Sequence, residues 1–118
     1  MTDTYATARS MLADLTARKV SARELLAAHV ARNEQVHKKI NAVIETDLKR
    51  AEKDAQAVDD ARARGQAIGR LAGLPMTIKD GFDVQAMPAT SGNPAFKDRA
   101  KDCADADVVD AVRREGAV

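Results

Sequence analysis

The sequence predicts an α/β protein, with N-terminal helices followed by the first strands of a mixed sheet that is not complete within these residues. Three observations carry this. Helical periodicity dominates residues 1–65, glycines and short apolar runs take over after Gly65, and the last segments read strand, loop, helix, strand. That order is the parallel crossover from which α/β sheets are built, and Ala117-Val118 reads as a strand just beginning. The chain is therefore expected to be the front portion of a larger protein.

The elements follow in order. Residues 4–15 place Ala8, Met11, Leu12 and Leu15 on one side of a helix, which breaks at Thr16-Ala17-Arg18-Lys19. Ser21-Ala22-Arg23-Glu24 is a capping box, in which hydroxyl and carboxylate each satisfy a free backbone N–H. The helix it opens is expected to run to about residue 35, with Leu25, Leu26, His29, Val30 and Asn33 on its buried face. Residues 40–44 are short and β-branched, and read as a strand. From Thr46 to about Arg64, Leu48, Ala51, Ala55 and Val58 recur at helical intervals, and Gly65 supplies a stop. Gly65, Gly69, Gly73 and Pro75 then punctuate a loop. Residues 74–78 read as a second strand, residues 82–84 as a brief extension, and residues 87–99 as an ordered loop holding Pro88, Gly92 and Pro94. Asp105 is placed to cap a last helix through Glu115, with Asp107 in its first turn, Val108, Val109 and Val112 buried, and Gly116 at its end.

Composition limits what such a chain can do. The apolar fraction is 45%, but 24 of those residues are Ala, while Leu, Ile, Val and Phe together number 23. The core should be thin for a stand-alone domain. The 19 basic and 18 acidic residues are mixed along the chain, so no field gathers nucleic acid or anionic lipid. No apolar run approaches the roughly 18 residues of a membrane span, and the N-terminus lacks the pattern of a secretory signal, so a cytoplasmic protein is expected. Cys103 stands alone, and its neighbours Asp102 and Asp105 oppose a thiolate, so it reads as a plain structural or surface thiol.

Lys79 is the candidate for chemistry. It follows the apolar run Leu74-Pro75-Met76-Thr77-Ile78 at the C-terminal edge of a strand, where open α/β sheets place ligand and catalytic groups. Partial burial there would disfavour the ammonium and let the amine accept a proton near neutral pH. Spacing alone leaves the alternative that Lys79 pairs with a carboxylate or ends the strand in solvent.

Gly73-Leu74-Pro75-Met76-Thr77-Ile78-Lys79-Asp80, then Thr90-Ser91-Gly92, then Val112-Arg113-Arg114-Glu115-Gly116-Ala117-Val118 resemble the amidase signature family. Ser21-Ala22-Arg23-Glu24-Leu25 and Ile40-Asn41-Ala42-Val43 are similar to that family's opening helix and first strand, so the likeness spans residues 20–118. The resemblance implies an enzyme that cleaves a carboxamide C–N bond through a serine, a second serine with a cis peptide bond, and a lysine. Lys79 matches the lysine. The resemblance places both serines beyond residue 118, so this chain alone is expected to be inactive. It implies a small-molecule amide substrate for the whole enzyme, no cofactor and no metal. An amidotransferase subunit that releases ammonia from glutamine for tRNA-linked transamidation fits the same residues, and there a nucleic-acid partner enters. Gly81, Ala86 and Asn93 depart from the Asn, Gly and Ser common in the family, which bears on the substrate pocket.

The remaining candidates have plainer accounts. Ser10 lies among polar positions, Ser21 is a cap, and Ser91 could approach Lys79 as a Ser-Lys dyad, though nothing in the sequence supplies an oxyanion hole. Asp80 is expected to accept loop hydrogen bonds. His29 and His37 lie eight apart without companions at ligand spacing, and the glycines before residue 74 precede a strand, unlike a phosphate cradle. A second reading, from another class, is a non-catalytic helical interaction module using residues 25–33 and 48–58. Self-association through exposed strand edges fits the first reading, of an incomplete sheet.

Overall fold

The computed structural model describes residues 2–98 and 103–118. It contains four α-helices, α1 (Ala8–Thr16), α2 (Ala22–Ile40), α3 (Leu48–Ala63) and α4 (Asp107–Arg114), with a 3-10 turn at Pro94–Phe96. The end of the expected loop at Arg99, and Asp102 beside Cys103, lie outside the described residues.

The helices form for local reasons. The Thr7 hydroxyl accepts the Ser10 N–H at 3.2 Å to open α1. At α2 the capping box is complete, with Ser21 N–H donating to Glu24 at 2.8 Å and Glu24 N–H to the Ser21 hydroxyl at 3.1 Å. α3 starts on Asp47, whose carboxylate accepts the Arg50 N–H at 3.1 Å. It ends where Gly65 takes φ +65° and Gln66 N–H reaches back to Ala61 O at 3.0 Å.

α2 packs along α3, and α1 adds Met11 and Leu15 to the shared core. The core is Met11, Leu15, Ala22, Leu25, Leu26, Ala55 and Leu74, with Val58, Leu71 and Val118 against it. Ala22 and Ala55 are fully buried, so small side chains set the close spacing and the core buries little area per residue. A polar knot lies beside it. Asp59 of α3 accepts Ala22 N–H at 2.8 Å and Arg23 N–H at 3.2 Å, satisfying the first turn of α2 from another helix. One turn on, Arg62 donates to Ala72 O at 3.1 Å, and Arg18 donates to Arg62 O at 3.0 Å.

The expected strands are corrected, because no strand is present among the described residues. α2 runs five residues past the expected end and takes in Ile40; its C-cap Asn41 is left-handed at φ 45°, and His37, Lys38 and Lys39 suit the helix C-terminus. Ile40 and Ile44 are 62% and 53% exposed, and among the described residues 40–44 form no strand. Residues 74–78 are extended in sequence character but exchange few bonds. Leu71 N–H donates to Glu115 O at 2.8 Å and Gly73 N–H to Gly116 O at 2.9 Å. Val118 N–H then donates to Leu74 O at 2.9 Å, and Met76 N–H to Val118 O at 2.7 Å. The last two bonds have the alternation of parallel pairing, over too few residues to make a ladder.

Smaller corrections concern α4 and α1. Asp105 does not cap α4: its carboxylate accepts the Gln85 N–H at 2.7 Å and pairs with Arg113 at 2.7 Å, and the N-cap is Ala106 without a side-chain bond. Val109 is buried and Val112 half-buried, whereas Val108 is 48% exposed. Ala8 is exposed. α4 does end at Gly116, at φ +84°.

Two stability outcomes follow. Asp59→Ala should lower unfolding free energy by about 1–2 kcal/mol, the cost of a lost helix cap, in urea denaturation. Gly116→Ala should cost more than Gly65→Ala, although both glycines have positive φ. A Cβ at Gly116 would lie 2.9 Å from Ala72 Cα, whereas nothing lies within 4 Å of one at Gly65. Equal effects would show that the 72–116 contact is loose.

Candidate functional site

Lys79 closes the segment that the Leu74, Met76 and Val118 bonds hold against the end of α4. Its carbonyl accepts the Phe82 N–H at 3.0 Å, so the chain turns immediately after it. The side chain is exposed, unlike the partial burial considered from sequence, and it lines an open cleft of about 1230 Å³. Met76, Ile78, Phe82 and Pro88 add apolar side chains to the cleft lining, together with the later turns of α2 and residues 42–48.

Asp80 organises the surroundings of Lys79. One carboxylate oxygen accepts the Thr90 N–H at 2.9 Å and the other accepts the Thr90 hydroxyl in a short bond. Its carbonyl accepts the Ser91 N–H at 2.9 Å. Thr90 in turn uses its hydroxyl to accept the Gly92 N–H at 3.1 Å and its carbonyl to accept the Asn93 N–H at 2.8 Å. This clasp closes the loop of residues 80–90, in which Val84 and Ala89 are buried. The Thr90 hydroxyl and then the Thr90 N–H hold the Asp80 carboxyl below its ordinary range, with smaller help from Gly92 and Ser91. Asp80 thus accepts loop hydrogen bonds, as its position suggested.

A belt of charged side chains fixes the same loop from outside. Arg50 of α3 donates to Gln85 O at 2.7 Å and pairs with Asp47 at 3.1 Å. Asp105 holds Gln85 N–H and Arg113, and Arg113 also lies 4.0 Å from Asp54. None of these long-range partners has a spacing that a sequence could reveal.

The other candidates separate from Lys79. Ser91 lines the same cleft with φ 51° and forms no hydrogen bond with Lys79. Its hydroxyl is 3.6 Å from where a Cβ on Gly81 would stand, so a larger residue at 81 would face Ser91. Ser10 is exposed on α1 and Ser21 caps α2. His29 and His37 are half-buried on α2, and among the described residues no three His, Cys, Asp or Glu side chains gather as metal ligands. Cys103 is half-buried and forms no disulfide among the described residues. No helix among the described residues is long and apolar enough to cross a membrane. Sequence reasoning missed Thr90 as a partner of Asp80; the string Thr90-Ser91-Gly92 was visible, but not what it holds.

The model of the family described as Amidase matches residues 24–118. A glutamyl-tRNA(Gln) amidotransferase subunit of Streptomyces coelicolor is 37% identical over 87 residues, covering 74% of this chain and 18% of the relative. Indoleacetamide hydrolase of Bradyrhizobium diazoefficiens is 39% identical over 99 residues, 84% of this chain and 19% of the relative. The chain thus spans about a fifth of the length of these curated relatives. Among solved structures, the peptide amidase of Stenotrophomonas maltophilia superposes with a TM-score of 0.88 at 27% identity, over 98% of this chain and 24% of that one.

The ionised clasp has a pH signature. Since the folded Asp80 carboxyl lies below its unfolded value, its contribution is present above roughly pH 4 and lost as pH falls through the folded value. The Thr90 amide proton shift should hold constant from neutral pH to about 4 and move only below that. Movement at higher pH would mean that the clasp does not depend on ionised Asp80.

Proposed function

This chain belongs to the amidase family, and from that premise we propose that residues 1–118 are the N-terminal part of an amidase domain. In this reading residues 1–65 are a mainly helical lead-in and residues 66–118 begin the core that carries Lys79. The reaction is hydrolysis of a small or aryl carboxamide, and Lys79 is the catalytic residue these residues contribute. The observation that carries it is the placement of Lys79, at the end of a held segment and open to a cleft whose lining includes apolar side chains.

The chemistry needs an amine that can accept a proton. Neutral Lys79 would take the proton of a nucleophilic serine through a bridging serine with a cis peptide bond, as that serine attacks the carbonyl. The leaving amine would depart protonated, and water would release the acyl group. Backbone N–H groups would hold the oxyanion. Ser10, Ser21 and Ser91 do not supply the two serines: one is a surface residue, one a cap, and one forms no bond with Lys79. Residues 1–118 are thus proposed to be inactive unless the rest of the domain is present.

A second reading is supported by the Streptomyces relative: a glutamine-dependent amidotransferase component, in which water still releases the acyl group as glutamate and the freed ammonia is passed on to an RNA-bound acceptor. Both readings use Lys79 in the same way, and both suit a cytoplasmic protein. Exposed Met76 and Phe82 beside the partly paired segment support self-association of this chain by itself.

A chimera tests the role of Lys79. Residues 20–118 would replace the matching stretch of the Bradyrhizobium indoleacetamide hydrolase, and ammonia release from indoleacetamide would be followed. Lys79→Met should lower kcat by at least about a hundredfold, the range for loss of a general base. Activity that survives this substitution would sink the proposal.

A further inference from the structure

Asp80 reaches ten residues forward for its partner, and its nearest charged neighbour in sequence, Lys79, is left alone. Lys79 forms no ion pair with Asp80 or with any other carboxylate among the described residues. The cleft's remaining carboxylates are Glu34, Glu45, Asp47 and Asp54; Asp47 is paired with Arg50 at 3.1 Å and Asp54 faces Arg113 at 4.0 Å. An exposed lysine beside an aspartate in a tight turn has every opportunity to pair with it. Here both Asp80 oxygens are already engaged by Thr90, whose N–H and hydroxyl draw the carboxylate toward the loop.

We propose that Thr90 is a positioning residue for Lys79: by binding both Asp80 oxygens it keeps the carboxylate from pairing with the adjacent ammonium. The inference rests on the reading of Lys79 as proton acceptor for its meaning, because an ammonium paired with a carboxylate gives up its proton less readily. Its geometry, however, stands on this chain alone. A purely structural clasp would hold the loop of residues 80–90 without altering the amine. A positioning clasp changes what the Lys79 nitrogen can do.

The chain itself provides the test. Acetic anhydride at a fixed, mildly alkaline pH acetylates neutral amines: the amine nitrogen attacks one carbonyl, acetate leaves, and a proton goes to solvent, whereas ammonium does not react. The rate at Lys79 would be followed by peptide mass spectrometry against Lys49, an exposed lysine of α3. Thr90→Val keeps the shape but lacks the hydroxyl, and should slow acetylation of Lys79 about threefold, the order set by one exposed ion pair, without changing Lys49. Thr90→Ser should restore the native rate. The double variant Asp80→Asn with Thr90→Val should also recover it, since no carboxylate remains to pair.

Native speed in Thr90→Val, or a double variant as slow as the single one, would overturn the proposal. So would a rise of more than about threefold in Asp80→Asn alone, which would mean that the carboxylate already acts on Lys79 inside the clasp. That last variant keeps the question decidable even if Thr90→Val fails to fold. None of these readouts uses amide hydrolysis. Loss of the amidase reading through an active Lys79→Met chimera would leave the clasp result standing, and a failed clasp result would leave the amidase reading untouched.

Discussion

The close approach of two backbones, between residues 69–76 and 115–118, governs the second half of this molecule. Where Gly69 passes Glu115, a Cβ would stand 2.3 Å from the Glu115 carbonyl carbon, and four backbone hydrogen bonds run between the segments. That proximity sets the direction of the chain entering Lys79 and seats Leu74 and Val118 against the helical core. Side chains matter less at this junction than their absence. The thin, alanine-rich composition is consistent with the same principle, since Ala22 and Ala55 bring α2 and α3 together by being small.

From that junction outward, polar interactions take over from apolar ones. Asp59 closes the start of α2, Arg62 holds Ala72, and Asp105 and Arg50 pin Gln85 from two sides. Among the described residues no polar or charged side chain is fully buried, so these groups work at the boundary, half in water. Each gives modest stability and high directional definition. The cleft beside Lys79 is bordered by such contacts and lined by apolar side chains that water still reaches.

What was legible in the sequence was what acts over four residues or fewer. The Ser21–Glu24 box, the Gly65 stop and the Gly116 end all rest on local spacing, and the structure contains each of them; of the α3 stripe, Ala51, Ala55 and Val58 pack on the core while Leu48 is exposed. The strands were misread because β-branched character at residues 40–44 says what a segment could do beside a partner, and no strand forms there among the described residues. Asp105 was misread for the converse reason. A carboxylate just before a helix is a good cap until a stronger claim, here Gln85 N–H and Arg113, comes from twenty residues back and eight ahead. At the site, Lys79 and the Thr90-Ser91-Gly92 string were recognisable as a family pattern, while the hydrogen bonds from Thr90 to Asp80 were not.

The Asp59 cap also bears on the order in which the chain assembles. It joins residues 37 apart and lies wholly within the first three helices, so that unit can close as soon as α3 exists. The bond from Arg70 N–H to the Glu115 carboxylate spans 45 residues and needs α4. Closing the larger loop adds little entropic cost over the smaller, yet it must wait until Glu115 has been made. During synthesis the helical unit can therefore form first and offer a finished surface on which the Lys79 segment is later laid.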